Sequence, residues 1–166
     1  MQIVSSIARF LQILFSVVVL GLSITLARQQ KYGKVPSQTS YAAFTGALGI
    51  IASVIGIVSL FVDRLRGVFT WVLDGVTSIA LLAAGVAFSV ALKGVDCNNT
   101  STDGPSWDNP LISGGCYVDK EGTKWCADKY KVHSRCVTAE ADAAFMFLAF
   151  LACIGVLVVS FLSRRN

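Results

Sequence analysis

The sequence predicts an all-α membrane protein, in which four transmembrane helices form a bundle and one disulfide-stapled loop joins the third and fourth helices. Three observations support this fold class. Only 14% of the 166 residues are charged and 54% are hydrophobic, whereas an ordinary soluble domain has about 25% charged residues. Four apolar stretches are long enough to cross a bilayer, which takes about 20 residues each. The longest polar segment, between the third and fourth stretches, contains four of the five cysteines.

The four apolar stretches leave no room for a separate catalytic domain, so residues 1–166 are predicted to form a single membrane domain. The stretches are too long for strands and too continuous for amphipathic surface helices. The first has the small-residue spacing of a signal-peptide cleavage site at Thr25 and Ala27, but its apolar part is longer than such a region usually is, which favours a retained anchor. A tight turn at 63–67 makes the second and third helices antiparallel neighbours. The predicted spans are 7–27, 41–62, 68–92 and 143–162, and the large loop is 93–142.

The large loop is predicted to be extracellular and both termini cytosolic. A count of Lys and Arg does not decide the orientation, because the loop side has more basic residues in total. The cysteines do decide it, since an even number in a short segment indicates two disulfides in an oxidising compartment. Their spacing lacks the closely paired ligands of a zinc site, so no metal is expected. The four cysteines are Cys97, Cys116, Cys126 and Cys136.

Two overlapping glycosylation sequons in the loop support the same orientation. Their candidate acceptors are Asn98 and Asn99. Sequons are common by chance, and Asn98 follows closely after the third helix, where a glycosylating enzyme has little room. The sequence therefore identifies two acceptors and leaves their occupancy open.

Small residues on the second and third helices predict close helix packing. Lipid removes the hydrophobic drive between helices, so the close approach of small residues has to contribute to their association. On the second helix these residues recur at steps of three or four, and on the third the similar register is broken only by Leu82. The short turn is expected to bring the two stripes together. Either the stripes pack inside the bundle, or part of a stripe contacts another protomer or a partner protein. The stripes are Ala42, Gly46, Gly49, Ser53 and Gly56 on the second helix, and Gly75, Ser78, Gly85 and Ser89 on the third.

Asp74 is the one acid predicted to lie well inside a span. It follows Val68 by six residues, or about 9 Å along the helix axis, close to the cytosolic interface. An ionisable group at that depth is costly and indicates a functional site, which would bind a proton, a lipid headgroup or a partner's cation. The alternative is a structural role, either in an ion pair with Arg9, Arg64 or Arg66 or in hydrogen bonds to Thr70, Thr77 or Ser78.

The sequence contains no catalytic constellation, so the protein is predicted not to be an enzyme. His133 is the only histidine and lies in the loop, which excludes a Ser/His/Asp set inside the bundle. Cys153, within the fourth span, is interpreted as a packing residue, with palmitoylation as the alternative. No cofactor is expected, and a bound sphingolipid or sterol is the candidate ligand. Nucleic acid is not an expected partner, because no basic run exceeds two residues.

Three short motifs and the layout of the chain carry a family resemblance. The motifs are FTWVLD at 69–74, CNNTS at 97–101 just after the third helix, and the alanine-rich segment 139–145 that follows Cys136. Together with four short-linked helices and one dominant loop, they resemble the MARVEL domain and, more narrowly, the fungal non-classical export protein 2 family. The resemblance implies a plasma-membrane protein that organises lateral domains, associates with eisosomes and responds to sphingolipid.

The resemblance also implies a disulfide pairing. Cys97 and Cys136 would form the family's pair, which leaves Cys116 and Cys126 as a nested second bridge. The chain departs from the family in having this extra cysteine pair in a longer loop, and in having a shorter C-terminal tail.

The favoured function is a non-catalytic organiser or adaptor that clusters membrane lipids and proteins, as a homo-oligomer or attached to a larger plasma-membrane protein. Replacing Gly49 and Gly56 with Leu is expected to disperse its patches while leaving expression intact. The runner-up is an accessory subunit of a membrane enzyme or pump that docks through the loop. A small transporter or channel is disfavoured, because the predicted spans do not offer polar groups through the whole bilayer.

Overall fold

The computed structural model describes residues 2–61, 68–98, 105–122, 124–126 and 129–165. The predicted turn at 63–67 and the sequon residue Asn99 lie outside these ranges. Within them the chain forms four long helices and a compact loop region with two single-turn helices and one β-hairpin. The elements are α1 (Gln2–Arg28), α2 (Ser37–Phe61), α3 (Val68–Ala91), α4 (Pro105–Asp108), α5 (Pro110–Ser113), β1 (Cys116–Val118), β2 (Lys124–Cys126) and α6 (Lys129–Arg165).

Helices α1, α2, α3 and α6 are each long and apolar enough to cross a membrane, which confirms the predicted four-helix membrane fold. A helix suits that environment because it satisfies its backbone hydrogen bonds internally. Helix α1 packs against α2 and α6, and α3 packs against the same two helices. Helices α1 and α3 therefore occupy opposite corners of a four-cornered bundle.

The bundle exposes large apolar side chains on its outer surface and buries polar ones inside. Phe10, Phe44, Ile79 and Leu151, one from each long helix, are all more than half exposed. On a soluble protein such contiguous apolar surface would mark an interaction site, whereas in a bilayer it faces the lipid tails. The buried polar side chains of the long helices include Arg9, Gln12, Ser16, Ser23, Thr45, Ser53, Asp74, Thr77, Arg135 and Asp142.

Helix α6 begins well before the predicted start of the fourth span, so the loop is shorter than 93–142. The additional turns are amphipathic: Val132 and Ala139 are buried, whereas Lys131 and Glu140 are exposed. The prediction relied on apolar length alone and therefore stopped at the first charged residues. As a result Asp142, placed at the end of the loop by the sequence, lies within the helix and is fully buried.

Two disulfides hold the loop region. One joins Cys97, just after α3, to Cys136 of α6, and the other joins Cys116 to Cys126 as paired residues of the β-hairpin. This is the nested pairing that the family resemblance implies. The first bridge fixes the outer ends of two long helices to each other, and the second closes the hairpin.

Short polar contacts position the loop helix α5 on the bundle. Asn109 accepts a hydrogen bond at its side-chain oxygen from the backbone N–H of Leu111, at 3.1 Å, and its side-chain amide donates to the carbonyl of Ala91 at the end of α3. At the other end of α5, the carbonyl of Gly114 accepts from the backbone N–H of Lys31, at 2.9 Å. The next residue, Gly115, has φ +86°, and a side chain there would overlap the Tyr32 carbonyl.

The glycines of the α2 stripe make their closest approach to α1, with Thr77 of α3 farther away at 3.9 Å from a Cβ on Gly49. The sequence had predicted that the stripes of α2 and α3 face each other. A Cβ atom on Gly46 would lie 2.8 Å from the backbone nitrogen of Leu20, and one on Gly49 would overlap Ser16. The remaining α2 stripe residues are also buried. The physical reason is that small-residue spacing identifies a face able to approach a neighbour closely, without specifying which neighbour.

The stripe of α3 is divided between the interior and the outer surface. Gly85 faces the ring of Phe147 on α6, 3.2 Å from where its Cβ would lie. Ser78 is also buried, whereas Ser89 is exposed and no atom lies within 4 Å of a Cβ on Gly75. Only Gly75 and Ser89 therefore remain from the predicted stripes as outward-facing positions.

Candidate functional site

Arg9 of α1 and Asp74 of α3 form a bidentate ion pair inside the bundle. Nη1 of Arg9 donates to Oδ1 of Asp74 and Nη2 donates to Oδ2, both at 2.6 Å. The two side chains are only 5% and 2% exposed. Two parallel charge-assisted hydrogen bonds are the strongest arrangement open to these groups. Of the partners considered for Asp74, the structure places Arg9 on it, while Arg64 and Arg66 lie outside the described residues.

All four long helices contribute to the surroundings of this ion pair. Gln12 accepts from Nη1 of Arg9 at 3.3 Å and donates through its Nε2 to the sulfur of Cys153 on α6, at 3.1 Å. On α2, Gly56 leaves the space that the Arg9 guanidinium occupies, because a Cβ atom there would overlap it. We call Arg9, Gln12, Gly56, Asp74 and Cys153 the polar cluster.

The polar cluster continues a polar face of α1 that the sequence analysis did not recognise. Buried residues recur along α1 at helical steps of three and four, and most of them are polar. Within the part of the chain that the structure describes, the Ser16 hydroxyl has no hydrogen-bond partner. The signal was present in the sequence, because polar residues at this spacing in an apolar helix are expected to face the bundle interior. The buried face is Arg9, Gln12, Ser16, Val19, Ser23 and Leu26.

A second buried acid, Asp142, contacts this face near the other end of the bundle. The Ser23 hydroxyl donates to Oδ2 of Asp142 at 2.7 Å. The other carboxyl oxygen, Oδ1, has no hydrogen-bond partner among the described residues. The long helices therefore contain a second buried acid in addition to Asp74. From the sequence, this second acid was expected in the loop.

Arg135 fastens the loop end of the bundle. Its fully buried guanidinium donates to the carbonyls of Leu26, at 2.8 Å, Leu111, at 2.9 Å, and Ile112, at 3.0 Å, and to the side-chain oxygen of Gln30, at 3.1 Å. These carbonyls lie in the last turns of α1 and α5, where backbone acceptors lack helical partners and carry partial negative charge. This role could not be predicted from the sequence, because the acceptors are backbone atoms distant in the chain.

One group of side chains among the described residues has the spacing of metal ligands. The sulfurs of Cys97 and Cys136 lie near the carboxylate of Glu140, but both sulfurs belong to a disulfide and offer no thiolate ligand. His133 is exposed on α6. What the polar cluster can do is hold four helices in one arrangement and carry a paired charge at membrane depth.

Comparison with known proteins identifies the domain type. A family model described as a membrane-associating domain, MARVEL, matches residues 2–159. The matched segment includes the whole polar cluster and almost the entire length of all four spanning helices. No curated protein and no solved structure matches the chain.

Proposed function

The chain belongs to the MARVEL family of membrane-associating domains, and from this premise we propose that it is a non-catalytic membrane organiser or adaptor. In this role it clusters lipids and proteins through contacts that its helices make within the bilayer. The four spans and the family match establish that the chain is a multi-pass membrane protein. The organising activity is the further step, and it is supported by the outer surface of the bundle.

One observation carries the proposal: three long helices have a glycine with an unobstructed outer side. Among the described residues, and apart from the neighbouring backbone of its own helix, no atom lies within 4 Å of a Cβ atom built on Gly21 of α1, Gly75 of α3 or Gly155 of α6. Helices associate in lipid where small residues let their backbones approach. The α2 glycines already serve that purpose against α1, whereas these three are free to serve it between molecules. We therefore propose a homo-oligomer, or attachment to a larger membrane protein, through these outer faces.

The family resemblance of the sequence supports a narrower proposal. The motifs at 69–74 and 97–101 are similar to those of the fungal non-classical export protein 2 family, which favours a plasma-membrane protein in eisosome-associated domains that responds to sphingolipid. A bound sphingolipid or sterol would then contact the exposed apolar faces. Two disulfides in the loop favour an extracellular loop and cytosolic termini, and Asn98, which is exposed, is a glycan acceptor under that orientation.

The runner-up, an accessory subunit of a membrane enzyme or pump, is favoured by an exposed patch on the β-hairpin. The rings of Tyr32 and Tyr117 stack with centroids 6.1 Å apart, and Trp125, the strand partner of Tyr117, is 57% exposed. Aromatic residues are enriched where proteins bind one another. The Cys116–Cys126 bridge keeps the hairpin in one shape, which suits a docking surface.

Energy transfer between copies in vesicles tests the organiser proposal. Purified chain labelled with donor or acceptor is reconstituted at a low protein-to-lipid ratio, and Gly75→Leu and Gly155→Leu are compared with Val76→Leu, an exposed apolar control on α3. We expect the glycine variants to lose most of the transfer and the control to keep it. Undiminished transfer in both glycine variants would exclude these faces as contact sites.

The same preparation distinguishes the runner-up. A stoichiometric larger protein that co-purifies in mild detergent, and is lost when Trp125 becomes Ser, would favour the accessory-subunit role. Self-association that is insensitive to Trp125→Ser would favour the organiser.

A further inference from the structure

A shallow basic pocket lies where the loop ends of α1 and α6 meet, away from the polar cluster. Its volume is about 340 Å³, and it is lined by Arg28, Gln29, Lys31, Lys131 and Ser134. Neither the family match nor the proposed function assigns a role to it. We call it the basic pocket.

The walls of the basic pocket are held in place by hydrogen bonds. Arg28 is the last residue of α1, and the backbone N–H of Lys31 donates to Gly114 at 2.9 Å. Lys131 and Ser134 are three residues apart on α6 and therefore project from one face of that helix. Arg135, next to Ser134, fastens α6 to the end of α1 through the Leu26 carbonyl. The three cations thus converge on a preformed surface.

The three cations of the basic pocket have no anionic partner in the described structure. Arg9 and Asp74 form an ion pair, but it lies in the opposite half of the bundle. Arg28, Lys31 and Lys131 are all exposed, so their charges are available to an external anion. Three exposed cations around one concave surface favour a ligand with concentrated negative charge, and phosphate is the common biological group that Lys and Arg recognise in this way.

A buried hydrogen-bond acceptor on a residue that lines the basic pocket adds a requirement for the ligand. The side-chain oxygen of Gln29 is inaccessible to solvent and has no hydrogen-bond donor among the described residues. An unmet buried acceptor is costly, so a rotation of the Gln29 side chain that brings this oxygen to an O–H or N–H donor on the ligand would relieve that cost. The ligand chemistry is therefore a phosphate with a neighbouring hydroxyl or ammonium group.

The depth of the basic pocket matches the phosphate layer of a bilayer. Arg28 comes directly after the apolar span of α1, and the headgroup region extends roughly 5–8 Å beyond the hydrocarbon core on each side. Long Lys and Arg side chains at such a position extend toward the interface. Because both leaflets contain phospholipid, this match does not depend on which way the loop faces.

We propose that the basic pocket binds a phosphate group with a donor-bearing substituent, supplied by a lipid headgroup or by phosphate in solution. The three cations hold the phosphate oxygens, and the Gln29 side-chain oxygen accepts from the substituent. This role accounts for three of the basic residues on the loop side, which made the charge count inconclusive.

Lipid binding to the purified full chain tests the charge part of the proposal. Native mass spectrometry follows the binding of short-chain phosphatidylinositol to the wild type and to two double variants. Lys31→Gln with Lys131→Gln alters the pocket, whereas Lys93→Gln with Lys120→Gln removes the same charge from exposed positions outside it. We expect affinity to fall roughly tenfold or more in the pocket variant and about twofold or less in the control. Equal losses in both, or no loss in either, would overturn the proposal.

Inorganic phosphate serves as the second probe and identifies the source of the ligand. Displacement of the lipid by millimolar phosphate, absent in the pocket variant, supports a site for phosphate in solution. Lipid binding that withstands phosphate but is lost in the pocket variant supports a headgroup site. In every sample the melting temperature is measured, and a pocket variant that melts like the wild type shows that the affinity change is not due to unfolding.

Gln29→Met tests the donor part separately. Phosphatidylcholine has a phosphate but no N–H or O–H donor in its headgroup, so the wild type is expected to prefer phosphatidylinositol. The variant keeps the size of the side chain, removes the acceptor, and is expected to lose that preference. A wild type without any preference would show that Gln29 does not contact the ligand.

Discussion

Arg9 and Asp74 join the two helices at opposite corners of the bundle, through two hydrogen bonds of 2.6 Å between buried groups. Helices α1 and α3 otherwise pack mainly on α2 and α6. The ion pair thus crosses the interior, and the absence of a side chain at Gly56 is what makes room for it. This contact explains why an acid is retained at a depth where charge is costly.

Removing one partner of the ion pair should destabilise the bundle strongly. Asp74→Asn leaves the Arg9 guanidinium buried without its counter-charge, and loss of one partner of a buried pair typically costs about 3–5 kcal/mol. Arg9→Met combined with Asp74→Leu removes both charges and should recover much of the loss. Thermal unfolding in detergent compares the wild type with the single and the double variant, and a single Asp74→Asn variant as stable as the wild type would contradict this role.

Two glycines should respond in opposite ways to the same substitution. Gly56→Ala forces the added methyl group against the Arg9 guanidinium, and overpacking of this kind costs about 1–3 kcal/mol. Gly75→Ala adds its methyl group where no atom lies within 4 Å, so stability should change by about 0.5 kcal/mol or rise slightly through helix propensity. Unfolding in detergent checks both, and equal effects would refute the assigned packing.

Arg135→Lys should loosen the loop without removing its charge. Lysine lacks the planar fork that reaches the carbonyls of Leu26, Leu111 and Ile112 at once. We expect faster hydrogen exchange in 109–115 and at the end of α1, while α2 exchanges as before. His133→Gln, an exposed change on the same helix, serves as the control. Unaltered exchange in Arg135→Lys would show that the loop is held by other contacts.

The hydrogen bond between Tyr117 and Asp119 should depend on pH in a defined window. The Tyr117 hydroxyl donates to Asp119 at 2.8 Å; this bond raises the pKa of Tyr117 and lowers the pKa of Asp119. The stabilisation that this bond provides through Asp119 is present above the ordinary pKa of the carboxyl group and is lost as the pH falls through the lowered pKa. The stabilisation that it provides through Tyr117 is present below the ordinary pKa of the hydroxyl group and is lost as the pH rises through the raised pKa. The bond is therefore complete between about pH 5 and pH 9.

Ultraviolet titration of tyrosine checks this window. In Asp119→Asn the ionisation of Tyr117 should move to lower pH, toward that of an ordinary tyrosine, because no carboxylate remains to accept the hydrogen bond of its hydroxyl group. Tyr117→Phe identifies which of the four tyrosines has moved. Identical titration curves for the wild type and Asp119→Asn would exclude the interaction.

The four loop cysteines should resist labelling from outside until they are reduced. On intact cells, a membrane-impermeant maleimide should modify the chain only after an impermeant reductant opens Cys97–Cys136 and Cys116–Cys126. Cys153, buried in the polar cluster, should remain unmodified in both conditions. Labelling that requires permeabilised cells would reverse the proposed orientation of the loop.

Different physical signals explain which parts of the protein could be predicted from its sequence. The number of helices follows from apolar length, which is a local property. Asp74 was identifiable as an acid in an apolar helix, and Arg9 as one of three candidate partners, but the choice between them depends on packing. The direction of the α2 stripe could not be derived, because Gly46 and Gly49 specify close approach and not its target.

The remaining errors arose at the loop end of α6. Lys131 and Glu140 made the first turns of this helix read as loop, although Val132 and Ala139 recur at helical spacing on the other face. The same interpretation also placed Asp142 in the loop, where it would be exposed to water. Arg135 binds backbone carbonyls from two other elements, and no residue type in the sequence marks those acceptors.

Because α6 is long, it connects the loop region directly to the part of the bundle that spans the membrane. Its 37 residues span about 55 Å at 1.5 Å per residue, well beyond a hydrocarbon core of about 30 Å. The helix continues unbroken from the bilayer to Cys136, where the disulfide also attaches the end of α3. Transmembrane helices change tilt with bilayer thickness, so any such change moves the hairpin relative to the lipid surface. The height of the hairpin above the membrane is thus set by the thickness of the bilayer below it.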